Sequence, residues 1–197
     1  MILLARVLAA AGEVEHFCQQ QGWLFCFIGG VAVQRWGEPR LTQDVDLTLL
    51  TGFGTEERFV DALLQHLKPR RPDAREFALS RRVLLAKTPD GVSVDIALGG
   101  LPFEERTVAR ASDWRVSEAV TLRTCSAEDL ITHKAFAGRD LDWGDLERVL
   151  VRQHEKLNLR QIRTELRPLL ELKGAPESFD KLEGMIATVE RRLQAKP

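Results

Sequence analysis

Asp44 to Leu50 reads Asp-Val-Asp-Leu-Thr-Leu-Leu, with Val45, Leu47 and Leu49 facing one way and Asp44, Asp46 and Thr48 the other. An extended strand puts successive side chains on opposite faces, so this segment predicts a strand with an apolar face and two carboxylates opposite. Carboxylates at i and i+2 repel at close range, and holding them side by side is costly without a cation. A hard divalent ion such as Mg²⁺ (or Mn²⁺), which takes carboxylate oxygens, answers that need.

Upstream, the apolar run Leu24 to Ile28 predicts a short buried strand ended by Gly29-Gly30, and Val31 to Trp36 a short helix stopped by Gly37 and Pro39. Thirteen residues separate Gly30 from Asp44. Paired glycines let backbone approach a bulky anion, and a helix start offers free N–H groups to phosphate. Strand, Gly-Gly turn, helix and carboxylate strand thus predict a phosphate cradle followed by a metal site. A later strand adds to it: Val92, Val94, Ile96 and Leu98 share one face, and Ser93, Asp95 and Ala97 the other. Asp95 is expected either as a third metal ligand or as the base that takes a proton from an attacking hydroxyl. Three such carboxylates on adjacent strands would supply a two-metal site for in-line displacement at phosphorus.

The rest of the chain frames this constellation. Residues 2–21 predict an amphipathic helix ended near Gly22; Met1 to Ala11 lacks a basic leading region and Glu13 and Glu15 follow, so it reads as helix rather than targeting segment. Thr55 is expected to cap a helix running to about Leu67. Between 68 and 87, seven cations (Lys68, Arg70, Arg71, Arg75, Arg81, Arg82, Lys87) face only Asp73 and Glu76. The first part, with Pro69 and Pro72, reads as a loop. Arg82 to Lys87 and Val92 to Leu98 read as a hairpin turned at Asp90-Gly91. Arg81, Arg82 and Lys87 would line an acceptor groove or stand as exposed hairpin charges. Pro102 to Ala109 predicts a short helix and Ala119 to Thr124 the last strand. From Ser126 on the pattern is helical only, with Ser126 to Glu128 opening a helix that ends near Gly138 and others over roughly 142–153, 159–172 and 177–195. The expectation is an α+β protein in two domains: residues 1–125, a small mixed or antiparallel sheet flanked by helices, and residues 126–197, a helical C-terminal subdomain, with the ligand in the cleft between them.

Composition narrows the class. With 28 basic and 29 acidic residues the net charge is −1, which excludes a globally basic nucleic-acid binder while allowing a local basic patch. No apolar run approaches a membrane span. Three cysteines, at 18, 26 and 125, are too few and too scattered for a zinc site and favour a reducing, cytoplasmic setting.

The pattern Gly29-Gly30, spacer, Asp44-x-Asp46 between apolar residues resembles the DNA polymerase β-type nucleotidyltransferase superfamily. The string Arg40-Leu41-Thr42-Gln43-Asp44-Val45-Asp46-Leu47 narrows the resemblance to the minimal nucleotidyltransferases grouped with the AbiEii toxins of toxin–antitoxin systems. Val94-Asp95-Ile96 matches that family's later strand aspartate, and Glu128 to Lys134, followed by Gly138-Arg139, Asp142 and Asp145, resembles its helical Lys and Asp motif. The resemblance covers about residues 24–150. It implies a nucleotidyltransferase core that moves a nucleoside monophosphate from a nucleoside triphosphate to an acceptor hydroxyl and releases pyrophosphate. Asp44, Asp46 and Asp95 would be its catalytic and metal-binding residues, with Gly29, Gly30, Arg40, Thr42 and Lys134 on the nucleotide. In relatives with serine in place of Gly30 a hydroxyl meets the triphosphate; here only backbone N–H groups can. Where many relatives carry a basic residue before the first aspartate of the helical motif, this chain has Leu141 before Asp142.

The toxin-like relatives imply RNA, such as the 3′ end of tRNA, as acceptor, together with a cognate antitoxin as partner. Other relatives modify proteins or small molecules such as aminoglycosides. Two further classes stay open. A nucleotide-binding or antitoxin-like interaction module without turnover has no need of Asp95. A metal-dependent phosphohydrolase usually recruits histidines, and none falls near the aspartate motifs.

Overall fold

A computed structural model describes residues 2–195; Met1, Lys196 and Pro197, at the ends of the two expected domains, lie outside the described residues. In chain order the elements are α1 (Ile2–Gln20), β1 (Phe25–Phe27), α2 (Gly29–Trp36), β2 (Asp44–Leu50), α3 (Glu56–His66), β3 (Lys68–Pro69) and α4 (Ala74–Arg81). They continue with β4 (Val83–Lys87), β5 (Ser93–Gly99), α5 (Pro102–Arg110), β6 (Ser112–Arg115) and β7 (Thr121–Thr124). Four helices close the chain: α6 (Ala127–Ala137), α7 (Asp140–Gln153), α8 (Leu159–Lys173) and α9 (Glu177–Gln194). The fold is α+β. Contacts gather the residues into two units: those up to Val31 with Leu41–Cys125, and Ala32–Arg40 with those from Ser126 on.

The first unit is built on a seven-stranded mixed sheet of order β3-β4-β5-β2-β1-β7-β6. The β2/β5 and β1/β7 pairs are parallel and the others antiparallel. As the alternation dictates, Val45, Leu47 and Leu49 of β2 and Val94, Ile96 and Leu98 of β5 are buried. They join Val7, Ala11 and Val14 of α1 and Phe59, Val60 and Leu63 of α3 in one core. Each large aliphatic side chain buried in this way stabilises the unit by about 1.5–3 kcal/mol. On the opposite face, α5 closes over one end of the strands. A Cβ on Gly99 would stand 3.0 Å from Thr48 Cγ2 and 3.4 Å from Glu104 Cβ. The carboxylate end of the same face lies beyond that contact.

Several local readings change. Residues 74–81 form the helix α4 inside the stretch read as a loop, and β6 is a further strand paired with β7. Thr55 precedes α3 without a side-chain cap; its hydroxyl donates instead to the carbonyl of Thr51. Ser126 does cap α6, accepting from the Asp129 N–H at 3.1 Å, and Gly138 ends that helix at φ 73°.

In the second unit the helices bury Leu130, Ile131, Leu146, Val149, Leu150, Ile162, Leu166, Leu170, Leu182 and Ile186. Residues 32–40 belong to this unit: Gln153 Nε2 donates to the Trp36 carbonyl at 2.9 Å, and a Cβ on Gly37 would come within 3.2 Å of Val149 Cγ2. No helix among the described residues is long and apolar enough to cross a membrane.

Candidate active site

Strand register brings the three aspartates together. Asp46 of β2 stands opposite Asp95 of β5, and Asp44 opposite Ser93. All three carboxylates lie on the face away from the aliphatic core and are half-buried. Thr42 Oγ1 donates to Asp44 Oδ1 at 3.1 Å and the Gly30 N–H to Asp46 Oδ2 at 3.4 Å. Burial pushes the Asp95 carboxyl above its ordinary range; Arg70 pulls the other way, and the negative charge of Asp44 adds to the rise. The donor set is all oxygen, which fits a hard divalent cation at Asp44 and Asp46. Among the described residues no group of three His, Cys, Asp or Glu side chains is arranged to grip one ion.

The glycine pair has a steric reason visible at this site. Helix α2 starts at Gly29, two residues before the expected start at Val31, so both glycines sit in its first turn. Gly29 has φ +55°, and a Cβ there would lie 2.0 Å from Asp46 Oδ2; a Cβ on Gly30 would lie 2.1 Å from Thr42 Oγ1. The absent side chains let Asp46 and Thr42 close directly on the helix start. Gly29→Ala is expected to cost about 1–3 kcal/mol in urea denaturation from the left-handed backbone alone. Gly22→Ala is the control, since Gly22 has φ +65° and nothing within 4 Å of its would-be Cβ. A larger loss in Gly29→Ala than in Gly22→Ala measures the collision with Asp46; equal losses would show that the close approach has no cost.

Arg70 was not legible as a site residue. Its guanidinium pairs with the Asp95 carboxylate, with the two side chains 24% and 34% exposed. Arg82, expected either in an acceptor groove or as an exposed hairpin charge, is engaged locally: it pairs with Glu56, donates to the Gly52 carbonyl at 2.9 Å and stacks 4.3 Å above the Phe53 ring. Lys87 stands opposite Ser93 and Lys68, in the row that also holds Asp44.

The other expected residues belong to the second unit, where they form a charge cluster. Lys134 on α6 is nearly buried and bonds Asp142 at 2.7 Å and Asp145 at 2.9 Å, both on α7. Arg40 grips Asp145 with two donors, Nε at 2.6 Å and Nη2 at 2.7 Å. Arg139 reaches Asp142 at 2.6 Å and Arg148 reaches Asp145 at 3.5 Å, so four cations surround two carboxylates. Burial by itself raises the carboxyls of Asp142 and Asp145, but hydrogen bonds and charges from Arg139 and Lys134, and from Arg40 and Lys134, outweigh it and hold both below the ordinary range. The sequence resemblance groups Lys134 with Asp142 and Asp145; that Arg40 joins them through Asp145 is a long-range contact no local pattern reveals. Trp143 is buried, with its indole N–H on the Gly138 carbonyl at 3.0 Å.

A carboxylate row on a mixed sheet beside a Gly-Gly helix start is the arrangement that the resemblance to nucleotidyltransferases leads one to expect. The sequence model described as Nucleotidyl transferase AbiEii toxin, Type IV TA system, matches residues 16–192, and the chain belongs to that family. Among solved structures, an antigenic nucleotidyltransferase-like protein from Paracoccidioides brasiliensis aligns over 90% of this chain and 92% of its own, with TM-score 0.55 and 12% identity, which shows a shared fold. The structure of ANT(2'')-Ia in complex with adenylyl-2''-tobramycin aligns over 96% of this chain and 97% of its own, with TM-score 0.41 and 16% identity. A CCA-adding enzyme in complex with CTP aligns over 93% of this chain and 51% of its own, with TM-score 0.38 and 12% identity. Among curated protein sequences none matches the chain.

Proposed function

We propose that the protein transfers a nucleoside monophosphate from a nucleoside triphosphate to an acceptor hydroxyl in a metal-dependent reaction, and that it acts as the toxin of a cytoplasmic toxin–antitoxin pair. The observation that carries this reading is the register that sets Asp46 opposite Asp95, with Asp44 two residues away on the same face. Family membership supports the reaction type, and the register is what favours these three aspartates as the residues that carry it.

A divalent cation held by Asp44 and Asp46 would supply the positive charge that a triphosphate and an attacking oxygen need. The chain's own groups do the rest. Thr42 Oγ1 and the Gly30 N–H fix the orientation of the Asp44 and Asp46 carboxylates. Asp95, made more basic by burial, takes the acceptor's proton. The acceptor oxygen bonds to the α-phosphorus as the bond from that phosphorus to the pyrophosphate oxygen breaks, and pyrophosphate leaves. Lys134 and Arg40 are clamped in a fixed orientation by Asp142 and Asp145, in a cluster whose cations outnumber its carboxylates, the kind of charge that suits phosphate.

RNA is the favoured acceptor. Lys87 lies on the row that holds Asp44, with Ser93 between them, and Lys68 is one strand further out, so a polyanionic chain would find cations toward the sheet edge on the carboxylate face. Phosphate contacts of that kind weaken with salt. The test incubates the chain with each α-labelled nucleoside triphosphate, Mg²⁺, total tRNA and a protein lysate, with a chelator lane as control. Label on RNA that is lost with chelator and falls with added salt is the expected result. Label on protein would replace RNA as acceptor. Labelled mononucleotide with no labelled acceptor would mean hydrolysis, and nucleotide binding without any product would mean an interaction module without turnover.

A further inference from the structure

The carboxylate row does not end at Asp95. Register pairs Asp95 with Leu85 of β4, and Pro69 of β3 with Ala86. Arg70 follows Pro69, and its N–H donates to the Leu85 carbonyl at 3.1 Å, so Arg70 continues the ladder opposite Leu85. Arg70, Leu85, Asp95 and Asp46 therefore form one line across the sheet, and residues in such a line share a face. Adjacent strands lie about 4.8 Å apart, so an arginine side chain two strands away reaches Asp95 with its guanidinium. It does so here, as an ion pair on Asp95 Oδ1, while its Nε is buried with no hydrogen-bond partner.

We propose that Arg70 is the resident cation of the carboxylate row: it neutralises Asp95 permanently, so that the protein takes one divalent ion, at Asp44 and Asp46, rather than two. The inference rests on the nucleotidyl-transfer reading only in taking Asp44 and Asp46 as ligands of that ion. Three carboxylates on one face carry three negative charges and would draw two divalent ions. A guanidinium cannot be deprotonated in a protein, so with Arg70 on Asp95 the row presents the charge of two carboxylates. A second divalent ion on Asp95 would have to displace Arg70 and then stand beside its charge. Arg70 is thus a positioning residue: it orients Asp95 and keeps a second cation off it, while the ion is confined to the neighbouring pair.

The test counts bound Mn²⁺ on the full chain without nucleotide, by the electron paramagnetic resonance signal of the free ion. The wild type is expected to bind one Mn²⁺. Arg70→Gln is expected to gain a second, with Asp95→Asn in that background removing it, and Arg70→Lys is expected to stay at one. Removing a unit charge this close to a divalent ion should tighten binding at the new site by at least about tenfold over the wild type. Circular dichroism confirms that each variant is folded, and a merely structural arginine would not change the count in a folded chain. Two ions on the wild type, or one ion of unchanged affinity on folded Arg70→Gln, would overturn the inference and leave the transferase reading standing. No bound ion on either protein would overturn Asp44 and Asp46 as a cation site, and the inference with it.

Discussion

Asp46→Asn is expected to lower nucleotidyl transfer by about a thousandfold while the chain stays folded. Asp46 lies at the centre of the site: it faces Asp95 across the β2/β5 ladder, stands two residues from Asp44, and accepts the Gly30 N–H. Asparagine keeps the shape that Gly29 and Gly30 accommodate, removes the charge and retains one oxygen to accept the Gly30 N–H, so the α2 start keeps its packing. What is lost is half of the anionic pair that would bind the cation and, through it, the charge that builds up on the triphosphate. Label transfer from an α-labelled nucleoside triphosphate, measured beside a thermal melt, separates the two effects. A folded Asp46→Asn protein with transfer within about tenfold of the wild type would remove Asp46 from the chemistry. Asp44→Asn is expected to behave in the same way, because its carboxylate is oriented by Thr42 as that of Asp46 is by Gly30.

The legible parts of the fold are those whose signal is local. The Asp44–Leu50 alternation reports both faces of β2, with Val45, Leu47 and Leu49 buried and Asp44 and Asp46 half-buried; Thr48, on the carboxylate face, departs from it by being fully buried. Asp90-Gly91 reports the hairpin: Gly91 has φ +86°, which few other residues adopt cheaply, and β4 and β5 pair from Val83↔Ala97 to Lys87↔Ser93. Helix α4 was illegible because its buried positions are only Ala74 and Ala78, too small to stand out beside Pro69, Pro72 and the run of cations. Thr55 reads as a cap by residue type, yet its hydroxyl finds the Thr51 carbonyl four residues back, a competing local partner. Within the site, the aspartates were legible because their spacing is chemical. Arg70 was not, because its place depends on the register of a two-residue edge strand that composition does not encode. Gly29 and Gly30 predict a phosphate cradle, and their closest demands come from Asp46 and Thr42.

Asp145→Ala is expected to destabilise the protein by about 3–5 kcal/mol, the range for breaking a buried ion pair from one side. Asp145 is fully buried and accepts two donors from Arg40 and one from Lys134, itself only 7% exposed. Alanine leaves Arg40 without its bidentate partner and Lys134 with Asp142 alone, so cations taken out of water lose their compensation. For a chain of this size that corresponds to a melting temperature lower by roughly 10 °C. The pH profile gives an independent reading. The carboxyls of Asp142 and Asp145 are depressed in the folded state relative to the unfolded one. Their contribution is therefore complete above the unfolded aspartate value of about 3.9 and is lost as pH falls through the lower folded values. Urea midpoints of the wild type should fall through that acid window, and those of Asp145→Ala should fall less, because one of the two depressed carboxyls has gone. A variant within about 1 kcal/mol of the wild type, with the same acid slope, would mean that the Lys134 cluster is solvated rather than an interior scaffold.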